Sequence, residues 1–217
     1  LRWLDDGAGQ GKSLLHLLAI RREIAHGAKM TDGDPIGTPY DGTAPESVDP
    51  WSQMVFDALS GWPIAAKGNW TRWDPGYLLL EIAHVGDEAI EPIYLDSHEE
   101  VLTVMFGFWE DTFPYAEAGS PEENAAVASA QAERLVEQWL SGELRTAVYY
   151  RANGEWCGSI AIEGDDLEPQ LRQAASELRD FAPVRIELRS PARKDWEEIA
   201  IPSDWLAQPQ PPGSLPG

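Results

Sequence analysis

From Trp73 to Glu133 the chain contains no lysine and no arginine, yet the same stretch carries its strongest strand patterns, residues 77–85 and 101–109. Fourteen Asp and Glu residues fill it. Side chains of a strand alternate between the two faces of a sheet, so one face can bury the apolar residues while the other keeps the charged ones. A sheet with an anionic exposed side is the expectation. Such a surface repels the phosphates of nucleic acids and membranes and attracts basic partners.

The rest of the composition narrows the class. With 43% hydrophobic residues and ten Trp among 217 residues, the chain is too apolar to stay disordered. Its formal charge is −21. Either an organism-wide preference for acids over lysine, which occurs four times, or a dedicated cationic partner accounts for that value. Cys157 is the single cysteine, which excludes an intrachain disulfide and a thiolate metal cluster. No apolar run approaches the ~18 residues that a membrane-spanning helix needs. The short apolar run 14–20 follows acids rather than a basic region, unlike a signal peptide. A cytoplasmic protein is expected, with no membrane or nucleic-acid partner.

The segment from Asp6 to Ser13 ends in Gly-Lys-Ser but has Asp6 where a phosphate-binding loop needs glycine. Ser13 caps an expected helix to about His26, with Leu14, Leu17, Leu18 and Ile24 on one face. Within it Arg21 and His26 have the spacing of the Arg-x4-His stretch of HEPN-family ribonucleases, and over about seven residues the segment resembles them. That family's motif sits among further long helices, whereas Pro, Gly and strands follow here. An amphipathic helix with basic residues near its C-terminal end is the preferred reading.

The expected organisation is a helical appendage at 1–29, a linker or long loop at 30–50, one α+β domain at 51–207 and a Pro-rich tail at 208–217. Asp49-Pro50 opens a short helix, and residues 67–75, with Trp70 and Trp73, read as a loop. Three strands follow. The first, 77–85, is central. The second, 89–96, is placed at an edge because Pro92 cannot donate to a ladder. The third, 101–109, puts Leu102, Val104, Phe106 and Phe108 on one face. Ser120-Pro121-Glu122-Glu123 is a capping box that starts a helix to about Leu140. Asn153-Gly154 joins a hairpin on which Trp156, Gly158, Ile160 and Ile162 share a face. A helix over 167–181 and two strands, 184–189 and 196–201, complete the order β-β-β-α-β-β-α-β-β. That order predicts an α+β fold, a mainly antiparallel sheet with helices packed on one face.

Chemistry is less visible. Asp96, His98, Glu99 and Glu100 gather possible metal ligands, but three acids around one His at a turn read better as a solvated tip. Glu81, an acid inside an apolar strand, pairs with Glu110 or Asp111 in the alternative reading, a hydrolase using buried carboxylates. Cys157, mid-strand, reads as an inert thiol. No catalytic residue, metal or cofactor is assigned, and a binding protein is favoured over an enzyme.

The run Leu102-Thr103-Val104-Met105-Phe106-Gly107-Phe108-Trp109-Glu110-Asp111-Thr112-Phe113 is a strand followed by Gly-x-Trp and a terminal Phe. Over these twelve residues it is similar to a pattern in small bacterial proteins encoded beside polymorphic toxins. Those proteins often carry His near the positions of Glu110 and Thr112, and this chain does not. The resemblance implies an immunity-type protein that neutralises a basic toxin by covering its substrate groove. The charge points the same way independently. The surface expected to meet the basic partner comprises Asp87, Glu88, Glu91, Asp96, Glu99, Glu100, Trp109, Glu110 and Asp111, with Trp70 and Trp73 as further aromatic anchors.

Overall fold

The structure is a computed structural model and describes residues 37–85, 88–114 and 119–206. These residues belong to the compact unit that begins at Gly37. The expected helix at 13–26 with Arg21 and His26, Asp87 and the Pro-rich tail lie outside the described residues, as does the side chain of Glu88.

The architecture is α+β, with two antiparallel sheets where the sequence led us to expect one. The first is a six-stranded meander in sequential order: β1 Thr38–Pro39, β2 Asn69–Trp73, β3 Tyr77–Val85, β4 Glu88–Asp96, β5 Leu102–Phe106 and β6 Trp109–Phe113. The second comprises β7 Leu144–Arg151, β8 Trp156–Glu163, β9 Pro183–Arg189 and β10 Glu197–Ala200, in the order β10-β9-β7-β8. Among the described residues three α-helices pack on them: α1 Pro50–Leu59, α2 Pro121–Ser141 and α3 Leu167–Glu177.

The core forms two clusters, and Leu144 of β7 joins the first of them. On the first sheet Leu80, Ile82, Ile93, Leu95, Leu102, Val104 and Phe106 meet Trp51, Val55 and Leu59 of α1 and Val136 and Trp139 of α2. Ala125, Ala128 and Ala132 form a small-residue stripe at helical spacing, which lets α2 approach closely. The α2 start is as expected: the Ser120 hydroxyl accepts from the Glu123 amide and the Glu123 carboxylate accepts from the Ser120 amide. On the second sheet Ala147, Tyr149, Ile160, Ile162, Ile186 and Leu188 meet Leu171, Ala174 and Ala175 of α3.

Five details differ from the expectation. Residues 101–109 are not one strand. Gly107 (φ 56°) and Phe108 (φ 66°) are both left-handed and make a two-residue turn from β5 into β6. This geometry matches the twist of the flanking strands, and an apolar Phe at the second position hides the signal that Asn-Gly would give. Phe108 is therefore exposed while Leu102, Val104 and Phe106 are buried. Residues 69–73 form a strand, not a loop, because Trp70 and Arg72 pair with Leu80 and Leu78. The expected linker contributes β1, which pairs with that strand.

β4 is interior rather than at an edge. It tolerates Pro92 because β5 pairs only with Tyr94, Leu95 and Asp96, so no strand on that side asks Pro92 for a donor. Finally, the register of β7 against β8 shifts between Tyr149 and Tyr150, so Trp156 opposes Tyr150 while Gly158 opposes Tyr149. That bulge moves Trp156 off the face of Ile160 and Ile162 and leaves it 41% exposed.

Candidate interaction surface

The acids of the first sheet fall into three groups. Glu99 and Glu100 lie in the short connection between β4 and β5 and are exposed. Both have left-handed backbones (φ 59° and 58°) without being glycine. Such conformations cost on the order of 1 kcal/mol or more each and persist where surrounding structure holds them. The connection is held on either side. Asp96 accepts from the His98 amide at 2.9 Å, and the His98 ring stands edge-on to Tyr77 at 4.8 Å. Ser97 is tied to the backbone of Leu78 and to the Ser52 hydroxyl (2.6 Å), which donates in turn to Asp49.

The second group faces inward. Asp96 is 4% exposed and Glu91 is bound by the Arg189 guanidinium at 3.0 Å. Neither can lie on an outer rim. Burial and the Asp96 charge together push the Tyr77 phenol up to about 12.

The third group lies along β6, at the edge of the first sheet. Trp109 is half-buried, its ring 5.4 Å from Phe106, and Glu110 and Asp111 are half-exposed. Pairing places Glu81, Tyr94, Met105 and Glu110 in one row across β3 to β6. Three strand spacings put Glu81 and Glu110 roughly 14 Å apart on a flat sheet. Carboxylate pairs in glycosidases stand about 5–10 Å apart. Asp111 pairs with Val104 and so points to the opposite face from Glu81. The register therefore opposes the two-carboxylate hydrolase.

One group of acids was not legible in the sequence. Asp41, Glu46 and Asp57 come from a loop, a 3-10 turn and α1, and all are exposed. Their charges converge on Tyr40, whose phenol is raised by burial first and then by Asp57, Asp41 and Glu46. Beside them Tyr40, Phe56 and Trp70 form an edge-to-face series with centroids 5.0 and 5.1 Å apart. Trp70 was an expected anchor, but its neighbours are separated from it in sequence by fourteen residues or more. No local pattern joins them.

Compared with family models, curated proteins and solved structures, the chain matches none. Its chemistry must therefore be read from its own geometry. Among the described residues, no three His, Cys, Asp or Glu gather closely enough to hold a metal ion. None of the helices there is long and apolar enough to cross a membrane. An open cleft of about 430 Å³ lies where α2 ends and α3 begins, lined by Glu143, Glu163, Asp165, Arg145, Gln138 and Leu167. It contains none of the expected site residues. The Cys157 thiol is pushed up by burial, with Arg151 opposing, which keeps it protonated and a poor nucleophile.

Proposed function

We propose that this protein is a binding domain for a basic protein partner, acting as a neutraliser of the immunity type. The observation that carries the reading is where the charge sits. Residues 37–141 hold nineteen acids against three bases, Lys67, Arg72 and Arg134. Even if every one of those bases were paired internally, the first sheet and its helices would retain a large negative field. A field of one sign speeds encounter with an opposite partner and rejects like-charged ones.

The exposed Glu99 and Glu100, held in place by the Asp96 and Ser97 contacts, form the centre of this surface. Glu110 and Asp111, with Trp109, extend it along the edge strand β6. Asp41, Glu46 and Asp57 around Tyr40 add a second anionic patch on the same half. Acids that mimic a phosphate backbone suit a partner whose own substrate is anionic.

The test is calorimetric titration against the basic product of the neighbouring gene at low and moderate salt. Binding that weakens at least tenfold with salt, and again in Glu99→Lys/Glu100→Lys, is expected. Absence of binding, or affinity indifferent to salt, overturns the proposal.

A further inference from the structure

The most heavily built polar site in the described residues serves none of the roles above. Arg189, on β9, is 5% exposed. Its Nε donates to Glu187 Oε1 at 2.6 Å, Nη1 to Glu91 Oε1 at 3.0 Å and Nη2 to the Tyr150 hydroxyl at 3.0 Å. The guanidinium also lies 4.5 Å from the centre of the Phe108 ring and 4.1 Å from that of Trp196. Glu91 and Phe108 belong to the first sheet, whereas Glu187, Tyr150 and Trp196 belong to the second sheet or its approach.

Around this centre the two sheets meet through directional contacts. The Glu91 amide donates to the Pro191 carbonyl at 2.9 Å. The Thr146 hydroxyl donates to the Gly107 carbonyl at 3.1 Å, and the Ser159 hydroxyl to the Phe108 carbonyl at 2.5 Å. Gly107 permits this approach, since a Cβ there would stand 2.3 Å from Thr146 Oγ1.

We propose that Arg189 is an ionic lock that fixes the placement of β4 and the β5–β6 turn on the second sheet, setting position more than it adds stability. A buried ion pair roughly breaks even against apolar residues of similar volume, because desolvation offsets attraction. Apolar surfaces can slide over one another. A planar guanidinium held by two carboxylates and a hydroxyl, with aromatic rings beside it, accepts one geometry. Two core clusters flank the junction, with Leu144 of β7 joining the first, and loosening the junction is expected to leave each cluster in place.

Hydrogen exchange at the Glu91 amide reads the junction directly, because that amide crosses it. Control amides are Ser97, bonded to Leu78 in the first sheet, and Ile201, bonded to Val184 in the second. Arg189→Met, which leaves two inward carboxylates without this cation, is expected to lower the urea midpoint. Arg189→Met/Glu91→Gln/Glu187→Gln removes the charges together. It should return the midpoint close to the parent value while the amide at position 91 exchanges at least tenfold faster and the controls hold. Arg189→Lys keeps the charge and loses the fork, and should show the same selective loss at Glu91 even if the triple variant fails to fold. Parent-like protection of Glu91 in Arg189→Lys, or a loss shared equally by all three amides, overturns the proposal.

Discussion

The two halves of the described unit, residues 37–141 and 142–206, solve the same packing problem with unequal electrostatics. Each covers one face of an antiparallel sheet with helix, and each closes an apolar core. The first holds nineteen acids and three bases, the second thirteen acids and eight bases. In the second half the arginines sit beside acids: Arg151 with Glu155 (3.6 Å), Arg172 with Glu168 and Asp204 (3.6 and 3.4 Å), Arg185 with Glu198 (3.2 Å). Such exposed pairs contribute little stability individually, but they cancel the local field. In the first half, Arg72 with Asp74 at 3.3 Å is the pair formed from its own residues among those described. A preference acting on the whole chain alike would give both halves the same ratio. The contrast favours a demand placed on one of them.

The largest way to break this comparison is to empty one core and watch the other. Trp139 is fully buried and stacked on Phe106 with centroids 4.6 Å apart. Trp139→Ala is expected to cost about 3–5 kcal/mol. Urea unfolding followed separately in the two sheets shows whether the loss is shared. A second sheet that stays folded after the first has melted makes the halves independent, and coincident transitions make them one cooperative unit.

Gly107→Ala strikes the seam between them. It forces a side chain into a left-handed backbone and against Thr146, with an expected cost of about 1–3 kcal/mol. Thermal melting measures it, and a variant as stable as the parent shows that the turn can withdraw from the second sheet without loss.

Alkali acts on both halves, since burial also pushes up the Tyr149 and Tyr150 phenols of the second. The Tyr77 phenol is raised from 10.0 to about 12, so the folded protein holds that proton more tightly than the unfolded chain does. Its contribution is complete below pH 10 and is lost as pH climbs from about 10 to about 12, on the order of 2 kcal/mol. Tyr77→Phe should lessen the loss of stability across that window, with Tyr149 and Tyr150 keeping the rest of it; an unchanged alkaline slope removes Tyr77 from the account.

The smallest stability effect belongs to the charge itself. Glu99→Lys/Glu100→Lys should alter stability by less than about 0.5 kcal/mol per site, since both side chains are exposed. A larger loss by urea titration would mean that the acids are structural, and the contrast between the halves would lose its functional meaning.

Local sequence determined a good deal of this molecule. The Ser120 capping box, the Asn153-Gly154 hairpin, the Asp49-Pro50 helix start and the alternation of 184–189 all describe interactions within a few residues, and each appears where the residues place it. The α+β class follows from their order. The uneven charge is also a property of sequence. Tertiary structure alone decided the rest, because those outcomes depend on partners distant along the chain. Whether 101–109 ran on or turned at Gly107 depended on a docking contact with Thr146, thirty-nine residues away. The inward turn of Asp96 and Glu91, the grouping of Asp41, Glu46 and Asp57 around Tyr40, and the division into two sheets joined at Arg189 have the same origin. A carboxylate reads alike in sequence whether water or a guanidinium faces it, and only the fold distinguishes the two.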